Sequence, residues 1–133
     1  MLACVMRLFS VYGPRERPEK LFMKLINHMV RDKEFPLFEG SLVHKRSFTY
    51  VDDIVAGLVA VIDRRKKCIG EVFNIGTGQS TSILEISKMI GGPSIQIADR
   101  VGESMETLAD ISKAKSILKY SPKHKLEDKI TSY

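Results

Sequence analysis

The stretch R-L-F-S-V-Y-G-P-R at residues 7–15 is the part of the sequence that decides the fold. It completes a nearly unbroken apolar run from Leu2 to Phe9, and such a run predicts a buried strand. The step Tyr12-Gly13-Pro14 then predicts a turn, because glycine and proline interrupt regular structure. Pro18 and Glu19 predict the start of a helix, since proline suits the first helical turn and an acid suits its positive end.

The remainder of the chain alternates between helical and extended patterns. Apolar residues recur at helical spacing in Leu21, Phe22, Leu25, Ile26, Met29 and Val30, and again in Ile54, Val55, Leu58, Val59 and Ile62. Strands are predicted at Phe35–Phe38, Ser47–Val51, Val72–Ile75 and Ile95–Ala98. Helix starts are predicted at Asp52 and Asp110 as N-caps, at the capping box of Ser82 and Glu85, and near Leu126. Strands that alternate with helices predict an α/β fold.

The composition is that of an ordinary folded domain. The 133 residues are 44% hydrophobic and 28% charged, and no apolar run approaches the length of a membrane span. Two cysteines provide no disulfide framework, so we expect reduced thiols and a cytoplasmic location. The net charge is +5, and the densest basic run is Arg64–Lys67. We interpret this run as a solvated helix end rather than a nucleic-acid site, because aromatic residues do not interleave with the cations.

The order of elements around Gly76-Thr77-Gly78 mimics a dinucleotide-binding unit. A predicted strand precedes this turn, a helix and a second strand follow it, and Asp99 comes next. However, Thr81 stands where the third glycine of the fingerprint belongs. We therefore favour a sharp strand-to-helix turn over a cofactor site.

Five motifs occur in the order typical of one enzyme family. R-L-F-S-V-Y-G-P-R is followed by R-P-E-K-L, then R-S-F-T-Y-V-D-D, F-N-I-G-T-G, and finally R-V-G-E with L-A-D-I-S-K-A. Together they resemble the extended short-chain dehydrogenase/reductases, the NAD-dependent nucleotide-sugar epimerases and dehydratases. The resemblance spans nearly the whole chain. It implies the C-terminal substrate-binding lobe of that family, in which the strands at Leu2–Phe9 and Val72–Ile75 belong to the parallel Rossmann sheet.

The resemblance implies a site for a nucleoside diphosphate sugar. Arg46 and Arg100 match the arginines that hold the pyrophosphate, and a guanidinium forms paired hydrogen bonds to phosphate oxygens. Glu103 matches an acid that accepts hydrogen bonds from the ribose hydroxyls. The alternative for each arginine alone is a solvated surface charge.

Five further residues match positions close to the nucleotide. Leu37 and Phe38 lie where the family's backbone meets the pyrimidine base, although both also suit a plain core. Lys20 and Leu21 match the start of a helix that passes the nucleotide, with a solvated lysine and a core leucine as the alternative. Asn74 lies close to the same pocket, but an asparagine that ends a strand is equally often a turn former.

The sequence departs from the family pattern in two places inside these motifs. Ser10 stands where many members have an asparagine that contacts the nucleotide sugar, and Ser47 replaces the usual aspartate after Arg46. Serine at position 10 keeps a hydroxyl, so we retain Ser10 as a substrate-binding candidate. The identity of the sugar and of the base stays open, as does the choice between 4-epimerase and 4,6-dehydratase.

Two family motifs are absent from the sequence. There is no G-x-x-G-x-x-G, and no tyrosine is followed four residues later by lysine, since Glu16, Ile54 and His124 occupy those positions. The resemblance therefore implies a single partial domain over residues 1–133 without the NAD-binding Rossmann domain. NAD is implied for the full-length family, where it exchanges hydride with the sugar ring. For this chain alone we expect no bound cofactor, no metal site and no catalytic residue.

Three functions follow in order of preference. The first is a nucleotide-sugar-binding lobe without turnover by itself. The second is a subunit of a split epimerase, whose partner supplies the glycine-rich half. The third is a basic nucleic-acid-binding module. Because the lobe retains only part of the sheet, we also expect self-association through an exposed strand edge.

Overall fold

The computed structural model describes residues 3–99 and 102–130. Its strands are β1 (Val5–Leu8), β2 (Val11–Tyr12), β3 (Phe35–Phe38), β4 (Lys45–Arg46), β5 (Thr49–Tyr50), β6 (Val72–Ile75), β7 (Thr81–Ser82), β8 (Ser94–Ile97) and β9 (Glu106–Thr107). Its α-helices are α1 (Leu21–Val30), α2 (Val51–Asp63), α3 (Arg65–Cys68), α4 (Ile83–Ile90) and α5 (Leu126–Ile130). A 3₁₀ turn covers Glu39–Leu42, and a π-helical turn covers Ala114–Leu118. The mixture confirms the predicted α/β class.

Parallel pairing joins distant parts of the sequence. β1 pairs with β6, β2 with β5 and β3 with β8, all in parallel. β4 lies between β7, which is antiparallel to it, and β9, which is parallel. Because parallel partners need a long crossover, such pairs bring segments together that are far apart in the chain. As a result, residues 35–38 lie beside residues 94–97, and residues 45–46 lie beside residues 106–107.

Two hydrophobic clusters hold these elements together. One surrounds β6, where Phe73 and Ile75 are fully buried. The other packs α1 against β3 and α4, with Phe22, Leu25 and Ile86 at its centre. Complete burial of a phenylalanine or leucine side chain contributes about 1.5–3 kcal/mol. The second cluster therefore fixes the relative positions of α1 and β3, which matters for the site described below.

The first strand is shorter and more exposed than the sequence predicts. The predicted segment was Leu2 to Phe9, whereas β1 covers Val5–Leu8 and Leu2 lies outside the described residues. Val5 is 53% exposed and Leu8 46% exposed, so the prediction of a buried strand is wrong. Within the described residues β1 pairs with β6 alone, and this leaves one edge and much of its surface uncovered.

Helix α1 begins three residues later than predicted. Pro18 and Glu19 lie in a turn, and Lys20 occupies the N-cap position before Leu21. The predicted core face is correct at its start, where Phe22 and Leu25 are buried. It is wrong at its end, because Met29 and Val30 extend past the partners that cover the earlier turns and are exposed.

The two aspartates at the start of α2 have different environments. Tyr50 occupies the N-cap position without a side-chain hydrogen bond, so the prediction that Asp52 caps this helix is wrong. Asp52 is exposed in the first turn, whereas Asp53 is buried and accepts hydrogen bonds from the backbone of Lys123 and His124. The strand predicted over Ser47–Val51 is reduced to β5, because helix α2 already begins at Val51.

The second half follows the sequence pattern more closely. β6 has the predicted bounds, and the capping box of Ser82 and Glu85 is present at the start of α4. β8 is shifted by one residue from the predicted strand. The Asp110 carboxylate accepts a hydrogen bond from the Ser112 backbone, and the π-helical turn follows. α5 confirms the helix predicted from Leu126.

Candidate functional site

A cavity of about 320 Å³ opens beside the start of α1, strand β3, the 3₁₀ turn and strand β4. Its walls come from segments far apart in the sequence, which the parallel pairing of β3 with β8 brings together. Its lining residues are Ser10, Val11, Glu16, Lys20, Leu21, Phe22, Phe35, Pro36, Leu37, Phe38, Ser41, His44, Arg46, Phe48, Ile83 and Glu103.

One wall of the cavity is aromatic. Phe22 stacks on Tyr12 with ring centroids 4.9 Å apart, and it makes an edge-to-face contact with Phe48 at a centroid distance of 5.2 Å. Phe35 and Phe38 lie at the two ends of β3. Stacked and edge-to-face rings are favourable arrangements, so this wall is rigid. A rigid apolar wall with a few polar groups opposite is the usual form of a small-molecule site.

Arg46 is a positively charged lining residue whose guanidinium group is held by several contacts. Its Nη1 donates to the carbonyl oxygens of Lys45 at 2.8 Å and Ser104 at 2.7 Å. Its Nη2 lies 3.1 Å from Glu103 Oε2. Strand β4 holds this side chain in place through its pairing with β7 and β9. The arrangement presents a guanidinium group to an anionic ligand such as a phosphate.

Most of the predicted substrate-binding residues line this cavity: Ser10, Lys20, Leu21, Leu37, Phe38, Arg46 and Glu103. Asn74 does not line it; its side-chain amide donates to the Asp110 carbonyl oxygen at 3.1 Å. This contact ties β6 to the segment before the π-helical turn. Arg100 lies outside the described residues, so its predicted place in the pocket stays a prediction.

Sequence reasoning missed six polar or aromatic lining residues: Glu16, Phe22, Phe35, Ser41, His44 and Phe48. A signal for His44 was available, because side chains two residues apart in an extended segment share a face and Arg46 had been identified. Phe48 lies inside the R-S-F-T-Y-V-D-D motif and could have been inferred in the same way. Ser41 belongs to the 3₁₀ turn, which no distinct residue pattern predicts.

Two of the tyrosines are poor candidates for proton transfer. Burial, and secondarily the charge of Asp53, raises the pKa of Tyr12 and of Tyr120 well above the usual 10.0. The Tyr120 hydroxyl also donates to the Gly76 carbonyl oxygen at 3.1 Å. A general base works best with a pKa near the operating pH. Neither phenol meets that condition.

The Gly76–Gly78 turn does not fit a dinucleotide. A Cβ on Gly76 would lie 2.6 Å from the Ala109 Cβ, and one on Gly78 would lie 3.3 Å from Ile111 Cδ1. The chain itself therefore covers the surface that a pyrophosphate would approach. In addition, β6 pairs with β1 and β8 with β3, so the strand before the glycine turn and the strand after α4 do not share a sheet. The glycines allow close packing of residues 109–111 on the turn.

Other kinds of site lack support in the described residues. No group of three or more His, Cys, Asp or Glu side chains within residues 3–99 and 102–130 is arranged to hold a metal ion. Among the helices described, none combines the length and the apolar character needed to cross a membrane. Cys4 and Cys68 are both free thiols.

Together, the α/β lobe and the cavity that Arg46 lines define a class of mixed α/β proteins with a pocket suited to an anionic small molecule. Comparison with known proteins identifies the family. The profile of the NAD dependent epimerase/dehydratase family matches residues 1–76. The chain belongs to the NAD-dependent epimerase/dehydratase family, within the extended short-chain dehydrogenase/reductases.

Individual relatives agree with this assignment. The uncharacterized UDP-glucose epimerase YtcB of Bacillus subtilis is 38% identical over 134 residues, covering 96% of this chain and 42% of that protein. The dTDP-L-rhamnose 4-epimerase of Burkholderia thailandensis is 32% identical, covering 92% of this chain and 36% of that protein.

A solved structure shows the same fold. The UDP-glucuronic acid 4-epimerase of Bacillus cereus, in complex with UDP-glucuronic acid and NAD, superposes with a TM-score of 0.88 at 40% identity. The match covers 96% of this chain and 42% of that one. The chain thus spans less than half the length of the relatives it matches.

Proposed function

We propose that this chain forms the nucleotide-sugar-binding lobe of a UDP-sugar 4-epimerase. The observation that carries the proposal is the cavity that Arg46, Lys20 and Glu103 line together with several aromatic side chains. A UDP-sugar is favoured because the Bacillus relatives described above are named as UDP-sugar epimerases. A dTDP-sugar is the alternative, since the Burkholderia relative acts on one by name.

The cavity suits both ends of a nucleoside diphosphate. The Arg46 guanidinium can give charge-assisted hydrogen bonds to the diphosphate oxygens, and Lys20 adds a second positive charge at the start of α1. The planar base fits the apolar side of the cavity at Leu37 and Phe38. The hydroxyl of Ser10 lies at the same cavity and offers a polar contact for the sugar.

We further propose that the chain binds its ligand but does not turn it over by itself. Support comes from the missing Tyr-x-x-x-Lys and glycine-rich motifs, the raised pKa values of Tyr12 and Tyr120, and the covered Gly76–Gly78 turn. The residues of this chain would hold and orient the substrate, while the NAD-binding half of the family would supply the redox chemistry. A cytoplasmic location stays an expectation.

Calorimetric titration with UDP, UDP-glucose and dTDP tests the proposal. Circular dichroism and a cooperative thermal transition first establish that the chain is folded. We expect UDP and UDP-glucose to bind, and Arg46→Ala to weaken both by about tenfold or more, because it removes charge-assisted hydrogen bonds of about 1.5–3 kcal/mol. Arg100→Ala is expected to weaken both ligands in the same direction.

Arg65→Ala is the matched control. Arg65 is an exposed arginine in α3 that does not line the cavity, so its loss removes the same charge elsewhere. We expect binding close to that of the parent. An equal loss in both arginine variants would indicate nonspecific attraction to a basic protein and contradict the proposed site. A folded parent chain that binds none of the ligands would contradict the proposal outright.

A further inference from the structure

The group proposed to bind the diphosphate already has an anionic partner within the chain. Glu103 Oε2 lies 3.1 Å from Arg46 Nη2, and both side chains line the cavity. Carboxylate and phosphate oxygens accept hydrogen bonds from the same guanidinium donors. A diphosphate that reaches this edge of Arg46 therefore competes with Glu103.

The two sides of this contact differ in how firmly they are held. Nη1 of Arg46 donates to the carbonyl oxygens of Lys45 and Ser104, so the guanidinium keeps its place when the Nη2 contact is broken. The Arg46 side chain is 19% exposed, whereas the Glu103 side chain is 38% exposed. Glu103 is thus the partner that can leave, because water can solvate its carboxylate as it moves.

We propose that Glu103 is a specificity-determining residue that exchanges its partner when a nucleotide binds. When the diphosphate binds Arg46, the Glu103 carboxylate moves away from the guanidinium group and accepts hydrogen bonds from the ribose hydroxyls instead. This inference rests on the proposed nucleotide-sugar site. A ligand that has a diphosphate but no ribose therefore displaces Glu103 from Arg46 without supplying hydroxyl groups that donate to its carboxylate.

The connectivity of a nucleotide supports this exchange. A single oxygen and a methylene group separate the α-phosphorus from the ribose ring, so the ring lies within a few ångströms of the phosphate that Arg46 holds. A carboxylate next to Arg46 is then close to the ribose diol, and a carboxylate accepts two hydroxyl hydrogen bonds well. The arrangement selects against inorganic pyrophosphate and favours complete nucleotides.

The exchange predicts opposite effects of one substitution on two ligands. Glu103→Ala removes the competitor, so inorganic pyrophosphate should bind about threefold tighter, the size expected for a partly exposed ion pair. UDP should bind about tenfold weaker, because charge-assisted hydrogen bonds to the ribose are lost. Both affinities are measured by calorimetric titration of the 133-residue chain at constant ionic strength.

Glu39→Ala is the control with the same loss of charge. Glu39 is exposed in the 3₁₀ turn, and it does not line the cavity although its neighbour Phe38 does. We expect it to change both affinities little. Equal gains in pyrophosphate binding in the two glutamate variants would show a general charge effect and overturn the inference.

The outcomes separate this inference from the function on which it rests. If the parent binds UDP and Glu103→Ala weakens both ligands, Glu103 positions Arg46 instead of competing for it, and the exchange is overturned. Unchanged pyrophosphate affinity overturns it as well. If the folded parent does not bind UDP, the proposed function fails and the exchange fails with it. Opposite changes in the two ligands cannot arise from a folding defect, which would weaken both.

Discussion

Asp53 is a charged residue whose carboxylate is almost fully buried. Its oxygens accept hydrogen bonds from the backbone amides of Lys123 and His124 at 3.0 and 3.1 Å, and from His124 Nδ1 at 3.0 Å. The carboxylate thereby ties the C-terminal segment to helix α2. Removal of a buried acceptor with several donors lowers the stability of the fold, since each donor loses its hydrogen-bond partner.

We therefore expect Asp53→Ala to lower the free energy of unfolding by about 2–4 kcal/mol. Asp52→Ala removes the same group from the preceding, exposed position and should change it by no more than about 0.5 kcal/mol. Urea denaturation of the two variants measures the difference. Similar losses would show that the carboxylate at position 53 has no special structural role.

At the same scale, candidate residues were easier to name from the sequence than their surroundings. Arg46 and Glu103 were proposed because their residue types, within ordered motifs, match a phosphate and ribose site in the family, and both line the cavity. The sequence could not show that Asp53 is buried and Asp52 exposed, because adjacent positions on a helix differ only in what packs against them. It could not show that Arg46 and Glu103 contact each other either, since that requires the pairing of β4 with β9.

At the scale of elements, the start of α4 is the clearest case of a local rule. Ser82 Oγ accepts from the Glu85 amide at 3.2 Å, and Glu85 Oε2 accepts from the Ser82 amide at 2.8 Å. These bonds from Ser82 lower the pKa of the Glu85 carboxyl below its usual 4.5. The capping box therefore stabilises the folded protein at neutral pH. This stabilisation is lost as the pH falls from 4.5, the usual pKa of the group, through the lower pKa that Glu85 has in the folded protein.

Ser82→Ala should lower the free energy of unfolding by about 1 kcal/mol at pH 7. The loss of stability caused by this substitution should be smaller in acid, because protonation of Glu85 already weakens the capping box of the parent chain there. Ser121→Ala, at an exposed loop position, serves as the control and should cost little at either pH. Denaturation curves at pH 7 and below pH 4.5 measure both variants. A cost that is constant over this range would exclude the reciprocal role of Glu85.

Other element boundaries were less predictable for a physical reason. Pro18 and Glu19 satisfy the local rules for a helix start, yet α1 begins at Leu21. Lys20 precedes Phe22 and Leu25, which the second hydrophobic cluster buries, so tertiary packing sets where this helix begins. Helix α2 shows the same limit, because Val55, Val59 and Ile62 keep helical spacing but remain exposed. Periodicity predicts an apolar face without showing what covers it.

At the scale of the whole molecule, the sequence pattern predicted the order of elements, and only the family resemblance placed β1 and β6 in one parallel sheet, which their pairing confirms. The pairing of β3 with β8 joins residues 35–38 to residues 94–97, and no local pattern encodes it. The family resemblance carried that information indirectly, because ordered motifs belong to a known arrangement. The resemblance also explains the exposed β1, whose free edge is where further strands of a Rossmann sheet would pair.

The same edge predicts self-association of the chain. Within the described residues β1 pairs only with β6, and its Val5 and Leu8 side chains are exposed. An unprotected apolar strand edge offers backbone donors and acceptors to a second copy, and a lysine on such an edge opposes pairing. Sedimentation velocity should therefore show a growing dimer fraction in the parent as concentration rises, and a smaller one in Val5→Lys. Val30→Lys is the control, since Val30 is 73% exposed at the end of α1, outside any strand. A parent chain that stays monomeric at every concentration would contradict the prediction. An equal effect of both lysine substitutions would show that the chains do not associate through β1.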